Sequence, residues 1–282
     1  SVFNEGSTNS FSGQTTGGAG SGTPILARPF FDVNAGLENA RLASFPAISD
    51  GSITVSSSSE IHSAGLLLRR RMTGGPHGKI DLLAGYRYFR FREGMRIDEN
   101  FVSTGAGGGI AVGTAIDVYD LFETENDFHG GELGLATRFD RGSWGLELLG
   151  KVAIGGIHRS TNINGATTTT TPAPGSTTST ASGGLLALSS NIARTSENDF
   201  AVLPEFGANL TFELNDSLQL RAGYTILALN NVARTGNQID RNINTNLIPG
   251  GSGAGPAVPS HTRHELSDFW AQGLNFGIAG EF

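Results

Sequence analysis

The chain has 282 residues, a net charge of −7, 41 glycines, no cysteine and 38% apolar residues. Its length suits one or two soluble domains or a single barrel, and no apolar run approaches the ~20 residues a membrane helix needs, which excludes a helix-bundle membrane protein. The acidic balance and dispersed arginines exclude a nucleic-acid partner, and Ser1 opens a polar stretch rather than a signal peptide, so an exported protein would start here at a mature or trimmed terminus.

In chain order, residues 1–5 read as the stub of a first strand, followed by a long loop at about 6–51. A less regular strand occupies about 55–72, and a Gly/Pro turn at 73–78 leads into Ile80, Leu82, Ala84, Tyr86 and Tyr88, which alternate with Asp81, Gly85 and Arg87. A second long loop is expected at about 98–127. Leu133, Leu135 and Phe139, opposite Glu132 and Arg138, then reach a turn at 140–143. Beyond it Trp144, Leu146, Leu148, Val152 and Ile154 oppose Glu147 and Lys151. A third loop spans about 160–198, with a Thr-rich tract inside it. Phe206 to Leu214, alternating with Glu205, Asn209, Thr211 and Glu213, turn at Asn215-Asp216-Ser217 into Leu218 to Ala228, alternating with Gln219, Arg221 and Thr225. A fourth loop at about 231–267 carries Pro249 to Pro256. In the last strand Trp270, Leu274, Phe276, Ile278 and Phe282 share one face, while Ala271, Asn275, Ala279 and Glu281 share the other.

Period two throughout predicts an all-β protein, and the alternation of short turns with long loops predicts a transmembrane antiparallel up-and-down β-barrel in the bacterial outer membrane. One domain, 1–282, would hold about eight visible strands, the first truncated. Because bacterial single-chain barrels close with even strand numbers and an unpaired edge in lipid is unsatisfied, upstream strands bringing the total to ten or twelve are expected. The loops at 6–51, 98–127, 160–198 and 231–267 would be extracellular.

A soluble β-sandwich also alternates, but its strands run to ~5–6 residues and its inner face is apolar. Here the wet face carries Asp81, Arg87, Glu132, Arg138, Glu147, Lys151, Glu205, Glu213, Arg221 and Glu281. Ten charges are tolerable facing a hydrated lumen and expensive inside a sandwich. Six acids against four bases predict a mild cation preference if water fills the lumen; in a narrow barrel the same groups would interlock and plug it. Tyr86, Tyr88, Phe139, Trp144, Phe212, Trp270 and Phe282 are the expected aromatic girdle. Glycines inside strands (Gly85, Gly134, Gly150, Gly207, Gly223 and Gly273) read as points of curvature where side chains pass along the wall.

Other motifs have a plainer explanation. Gly105 to Gly109 and the glycines at 250–255 lie in loops rather than between a strand and a helix, so they are no phosphate cradle. Asp117, Asp120, Glu123, Glu125 and Asp127 fit no EF-hand spacing and read as a solvated loop. His261 and His264 are half a metal site without a third ligand, so no metal or cofactor is assigned. His62, His129 and His158 lie near serines, but no nucleophile motif accompanies them and no enzyme is expected.

The segments Arg28 to Val33, Ser56 to Ser59 with Ala64-Gly65, Asp81 to Tyr88, Asn126 to Gly131 and Gly150 to Ala153 are similar to those of a known family. So are Thr161 to Gly165, Phe200 to Glu205, Gly223-Tyr224, Gly236 to Arg241 and Asp268 to Leu274. On these the chain resembles the putative β-barrel porin family of planctomycete-type outer-membrane proteins. The resemblance implies a porin-like passive channel for small solutes and further N-terminal sequence. The terminal Phe282 resembles the C-terminal signal read by the barrel-assembly machinery. Outer-membrane lipid, that machinery and further copies of the chain are the expected partners. The alternative is a structural or surface-display barrel with a plugged lumen.

Overall fold

A computed structural model describes residues 2–75, 78–105, 109–215, 218–260 and 265–280. Eight long strands form the wall: β1 (Val2–Gln14), β4 (Ser49–Gly75), β5 (Gly78–Ser103), β6 (Ala115–Arg141), β7 (Trp144–Thr170), β9 (Ala193–Asn215), β10 (Leu218–Ala233) and β12 (Leu266–Gly280). They are antiparallel in the order β1-β4-β5-β6-β7-β9-β10-β12, and the short β8 (Thr178–Ser182) extends β7 as a hairpin. A separate small sheet joins β2 (Leu26–Asp32), β3 (Leu37–Ser44) and β11 (Asn242–Ile243). Among the described residues there is no α-helix, only short 3₁₀ turns at Thr235–Gln238 and Thr245–Leu247.

The wall curls into a half-barrel. Phe91 on β5 and Phe269 on β12 stand five strands apart in the sheet, yet their rings are 4.3 Å apart across the concave side. Short turns gather at one end, where β4 meets β5, β6 meets β7 and β9 meets β10. Long connections gather at the other.

On the convex face an apolar belt borders the short-turn end. Leu66, Leu68, Leu133, Leu135, Leu148, Ile154, Phe206, Leu210, Leu274, Phe276 and Ile278 are all exposed there. Cross-strand register aligns them, as in the row Leu146–Leu210–Ala222–Phe276. From Gly78 to Tyr88 is about ten residues, or ~23 Å along the barrel axis for strands tilted ~45°. This is the height of an outer-membrane apolar band, ~25 Å.

The strands then continue well past the belt. β4, β6 and β7 each have 27 residues, so the sheet stands roughly twice as tall as the lipid band. Beyond the belt the two faces exchange character. On β5, Phe89, Phe91 and Ile97 now point inward and are buried, while Arg90, Arg92 and Arg96 point outward. The same exchange occurs on β6, with Ile116, Val118, Phe122 and Phe128 inside and Asp117, Glu123, Glu125 and Asp127 outside. Charged side chains replace apolar ones on the outer face, and packed apolar side chains replace the polar interior.

This exchange corrects the expected loops. The loop at 98–127 shrinks to 104–114, because β5 runs to Ser103 and β6 starts at Ala115. The loop at 160–198 contains the rest of β7 to Thr170, β8, and β9 from Ala193. The loop at 6–51 contains most of β1, which is no stub but pairs with β4 from Val2 to Gln14, and the β2–β3 hairpin. Residues 231–267 contain the end of β10, β11 and the start of β12. Each strand was lost where its polarity inverted. Residues 76–77 and 216–217, in two expected turns, lie outside the described residues, as do His261, His264, Glu281 and Phe282.

Arginine at Leu148, Leu210 or Phe276 should destabilise the inserted protein by about 2–4 kcal/mol, because hydrocarbon cannot solvate the charge. Arginine at the concave positions Lys151 and Asn209 should be much milder. Urea unfolding in lipid vesicles measures both sets, and equal penalties would show the two faces to be wrongly assigned.

Candidate functional site

The concave face is stratified from the short-turn end upward. Lowest are the expected lumen residues that remain open. Arg138 donates to Asp140 at 2.8 Å, Glu147 is half-buried, and Glu213 and Arg221 are exposed. Asp81 is buried and paired with Arg69 at 2.5 Å and Arg71 at 3.7 Å. Both arginines fall in the strand whose periodicity was least regular.

Above them Arg87, Glu132, Lys151 and Glu205 converge in one buried network drawn from four adjacent strands. Lys151 Nζ lies 3.3 Å from Glu132 and 2.9 Å from Glu205, and Arg87 lies 3.9 Å from Glu132 and 3.0 Å from Glu205. Arg87 reaches β9 by lying across two strands. This is feasible because the residues opposite it in register are Gly130 and Gly155, which leave the row bare. A Cβ on Gly155 would stand 2.0 Å from the His129 carbonyl oxygen, so the strands also approach more closely than any side chain allows.

The next layer is apolar. Phe89, Phe91, Phe128, Ile157, Leu203, Leu229 and Phe269 form a buried cluster that bridges the half-barrel. Over it passes a strap, residues 231–238, where β10 bulges between Leu229 and Val232 and turns inward at Asn231, φ 57°. Four wall side chains stitch the strap to the opposite strands. Asn126 donates to the Ala233 carbonyl at 2.9 Å and accepts from its N–H at 2.8 Å, and Arg159 donates to the Asn231 carbonyl at 2.8 Å. The Thr124 and Thr235 hydroxyls are 3.0 Å apart. Glu93 receives both arms of Arg234, at 2.7 and 2.6 Å, and the Thr235 N–H at 3.2 Å. Accepting this forked bond, Glu93 raises the Arg234 pKa above the usual guanidinium value, so the guanidinium stays protonated across ordinary pH.

Highest is a second plug. Phe30 and Ile243 from the small sheet and Leu185 to Leu188 pack against Ile97, Phe122 and Ile163. Buried carboxylates latch it to the wall. Glu99 pairs with Arg28 at 3.2 Å and Arg41 at 2.8 Å. Asp120 pairs with Arg28 and accepts the backbone N–H groups of Leu185, Leu186 and Ala187 at 2.8–3.1 Å. The run Asp117 to Asp127, expected as a solvated loop, is thus a strand whose acids divide between two faces.

Between the strap and strands β1 and β4 the concave face stays polar and open. A cleft of about 380 Å³ is lined by Ser7, Asn9, Ser57 and Ser59 on the wall, with Glu93 and Arg234 at its side. The Ser-rich run at 56–59 marks this cleft in the sequence; the strap itself had no such signal, since its anchors lie far away on β5, β6 and β7.

The aromatic residues sit on the convex face. Trp144 and Phe212 stack at 4.5 Å near the short turns, Phe139 and Trp270 are exposed, and Tyr86 and Tyr88 flank His129 at 6.2 and 4.9 Å. The three histidines considered for hydrolysis are engaged by neighbours: His62 by Glu60 at 2.7 Å, His129 by Tyr86 at 2.5 Å and His158 by Asn198 at 2.7 Å.

Removing one member of the buried network leaves a charge without compensation, so Lys151→Met should destabilise by about 3–5 kcal/mol. Adding Glu132→Gln should recover a substantial part of that loss. Denaturant titration of the single and double variants tests the coupling, and strict additivity would show that the four groups do not act together.

No curated protein and no solved structure is similar enough to match. A family model does match, and it covers the wall, both plugs and the strap alike: the chain belongs to the family described as putative beta barrel porin-7 (BBP7), matched over residues 2–282.

Proposed function

We propose that this protein is a porin-like channel of the bacterial outer membrane that passes small solutes along the serine-lined cleft. The observation that carries this reading is the contrast within the concave face. Elsewhere apolar clusters and ion networks fill it, whereas beside β1 and β4 it is polar, lined by short side chains and open. Membership of a beta barrel porin family and the height of the apolar belt support placement in the outer membrane. In this reading the belt contacts outer-membrane lipid, the short turns face the periplasm, and the last strand engages the barrel-assembly machinery. Copies of the chain can associate through the belt. The protein works as a wall and a passage rather than as an enzyme.

A second reading, a structural barrel with a sealed lumen, is favoured by the loops docked at two heights on the concave face. Purified protein reconstituted in a planar bilayer separates the two. A channel gives discrete conductance steps of small, uniform size. Fully inserted protein that stays electrically silent would favour the sealed barrel.

A further inference from the structure

The strap borders the polar cleft with Arg234 to Asn237, and its one charged contact there is the Arg234–Glu93 ion pair. Glu93 is an inward acid on β5, half-buried at the side of the cleft, and its charge is cancelled by Arg234, which arrives on the strap rather than on the wall. The contact therefore combines two roles that are usually separate. It ties the strap to the wall, and it sets the net charge at the side of the cleft. Everything else bordering the cleft on the wall side, Ser7, Asn9, Ser57 and Ser59, is uncharged.

Buried Val232 and Ala233 anchor the first part of the strap, and polar contacts hold the part beyond them. It leaves the wall at a bulge and a left-handed asparagine. Its far end is tied by Gln238, which donates to the Arg234 carbonyl at 3.1 Å and to the Glu265 carbonyl at 2.9 Å. Above Ala233 its contacts with the opposite wall include the Glu93 fork, the Thr235 N–H bond to Glu93, the Thr124–Thr235 hydroxyl contact and the Arg234 guanidinium 5.4 Å from the Phe91 ring centre. Charge-assisted bonds of this kind hold strongly in a partly dry site and weaken sharply once water enters.

Resting on the porin-like reading above, we infer that Glu93 is the residue that sets charge selectivity in this protein and that Arg234, carried on the 231–238 strap, is its gate. With the strap seated, the pair is neutral and the cleft is at its smallest, about 380 Å³. With the strap displaced, Arg234 leaves, and Glu93 presents an uncompensated carboxylate to the passage. The open form thus favours small cations, and an anionic solute bearing a carboxylate or phosphate competes with Glu93 for Arg234.

Opposite single substitutions give a readout that a purely structural role does not produce. In planar bilayers under a salt gradient, Arg234→Gln frees Glu93. It should raise the conductance severalfold and shift the reversal potential toward that of the cation. Glu93→Gln frees Arg234 and should shift the reversal potential the other way. The double variant should conduct with neither preference. Because the chain has no cysteine, Thr124→Cys with Thr235→Cys supplies an independent arm: oxidation should pin the strap and suppress conductance, and reduction should restore it. Conducting channels whose reversal potentials are unchanged in both single variants, or whose current ignores the crosslink, overturn this inference and leave the porin-like reading standing. Silence of the wild type and every variant after verified insertion overturns both.

Discussion

The protein is organised by an exchange of solvents along each strand. Near the short turns the outer face is apolar and the inner face carries charges; beyond Tyr88 and His129 the outer face carries Arg90, Arg92, Glu125 and Asp127, and the inner face carries phenylalanine. Period two persists across the boundary, because the backbone ladder does not depend on which side is greasy. The pairings are unbroken: β6 and β7 stay in register from Ala115–Thr170 to Arg141–Trp144. Only the medium on each side changes. In the outer-membrane reading that change fixes how deep the wall sits, since sliding it one row toward the short-turn end would begin to drag the Arg90–Asp127 pair, 2.5 Å apart, toward hydrocarbon.

The interior follows from the same constraint. In the membrane zone inward charges are acceptable only if water or partners meet them, and Arg87, Glu132, Lys151 and Glu205 solve this by balancing two cations against two anions within 3.9 Å. Bare glycine rows at Gly130 and Gly155 let the long side chains lie flat against the wall, so the network needs little lumen width. Above the belt, where the outside is wet, the inside becomes an ordinary protein core. The phenylalanine layer, the strap and the second plug bury apolar surface as the centre of a soluble domain does.

How much of this the sequence disclosed depends on the same boundary. Strand faces within the belt were legible, because Leu133, Leu135 and Phe139 against Glu132 and Arg138 repeat a single pattern that one rule can read. The upper halves of the strands are illegible as strands, because charged residues such as Asp117, Glu123 and Glu125 occupy the outer positions there. A reader following one hydrophobic face sees that face end. The legible signal was the switch itself: on β5, apolar residues shift from even positions, Ile80 to Tyr88, to odd ones, Phe89 to Ile97. The charged residues of the ion network were found individually, but that they meet was not, since the convergence of β5, β6, β7 and β9 depends on register. The strap was illegible for a different reason. Asn126, Arg159 and Glu93 recognise the backbone and one arginine of a segment more than seventy residues away, and no local pattern encodes such a match.

The height of the wall has a consequence for reach. Strands of 26 and 27 residues lift the β7–β8 hairpin, the small sheet and the 249–256 segment tens of ångströms clear of the apolar belt. They do so on a hydrogen-bonded sheet rather than on a flexible tether. In the outer-membrane reading proposed above, the tip is therefore held at a fixed distance and orientation from the lipid. On that tip, threonine hydroxyls pair across the hairpin at Thr168–Thr180 and Thr170–Thr178, 2.9 and 3.1 Å apart, so the hairpin is held side chain to side chain as well as by its backbone.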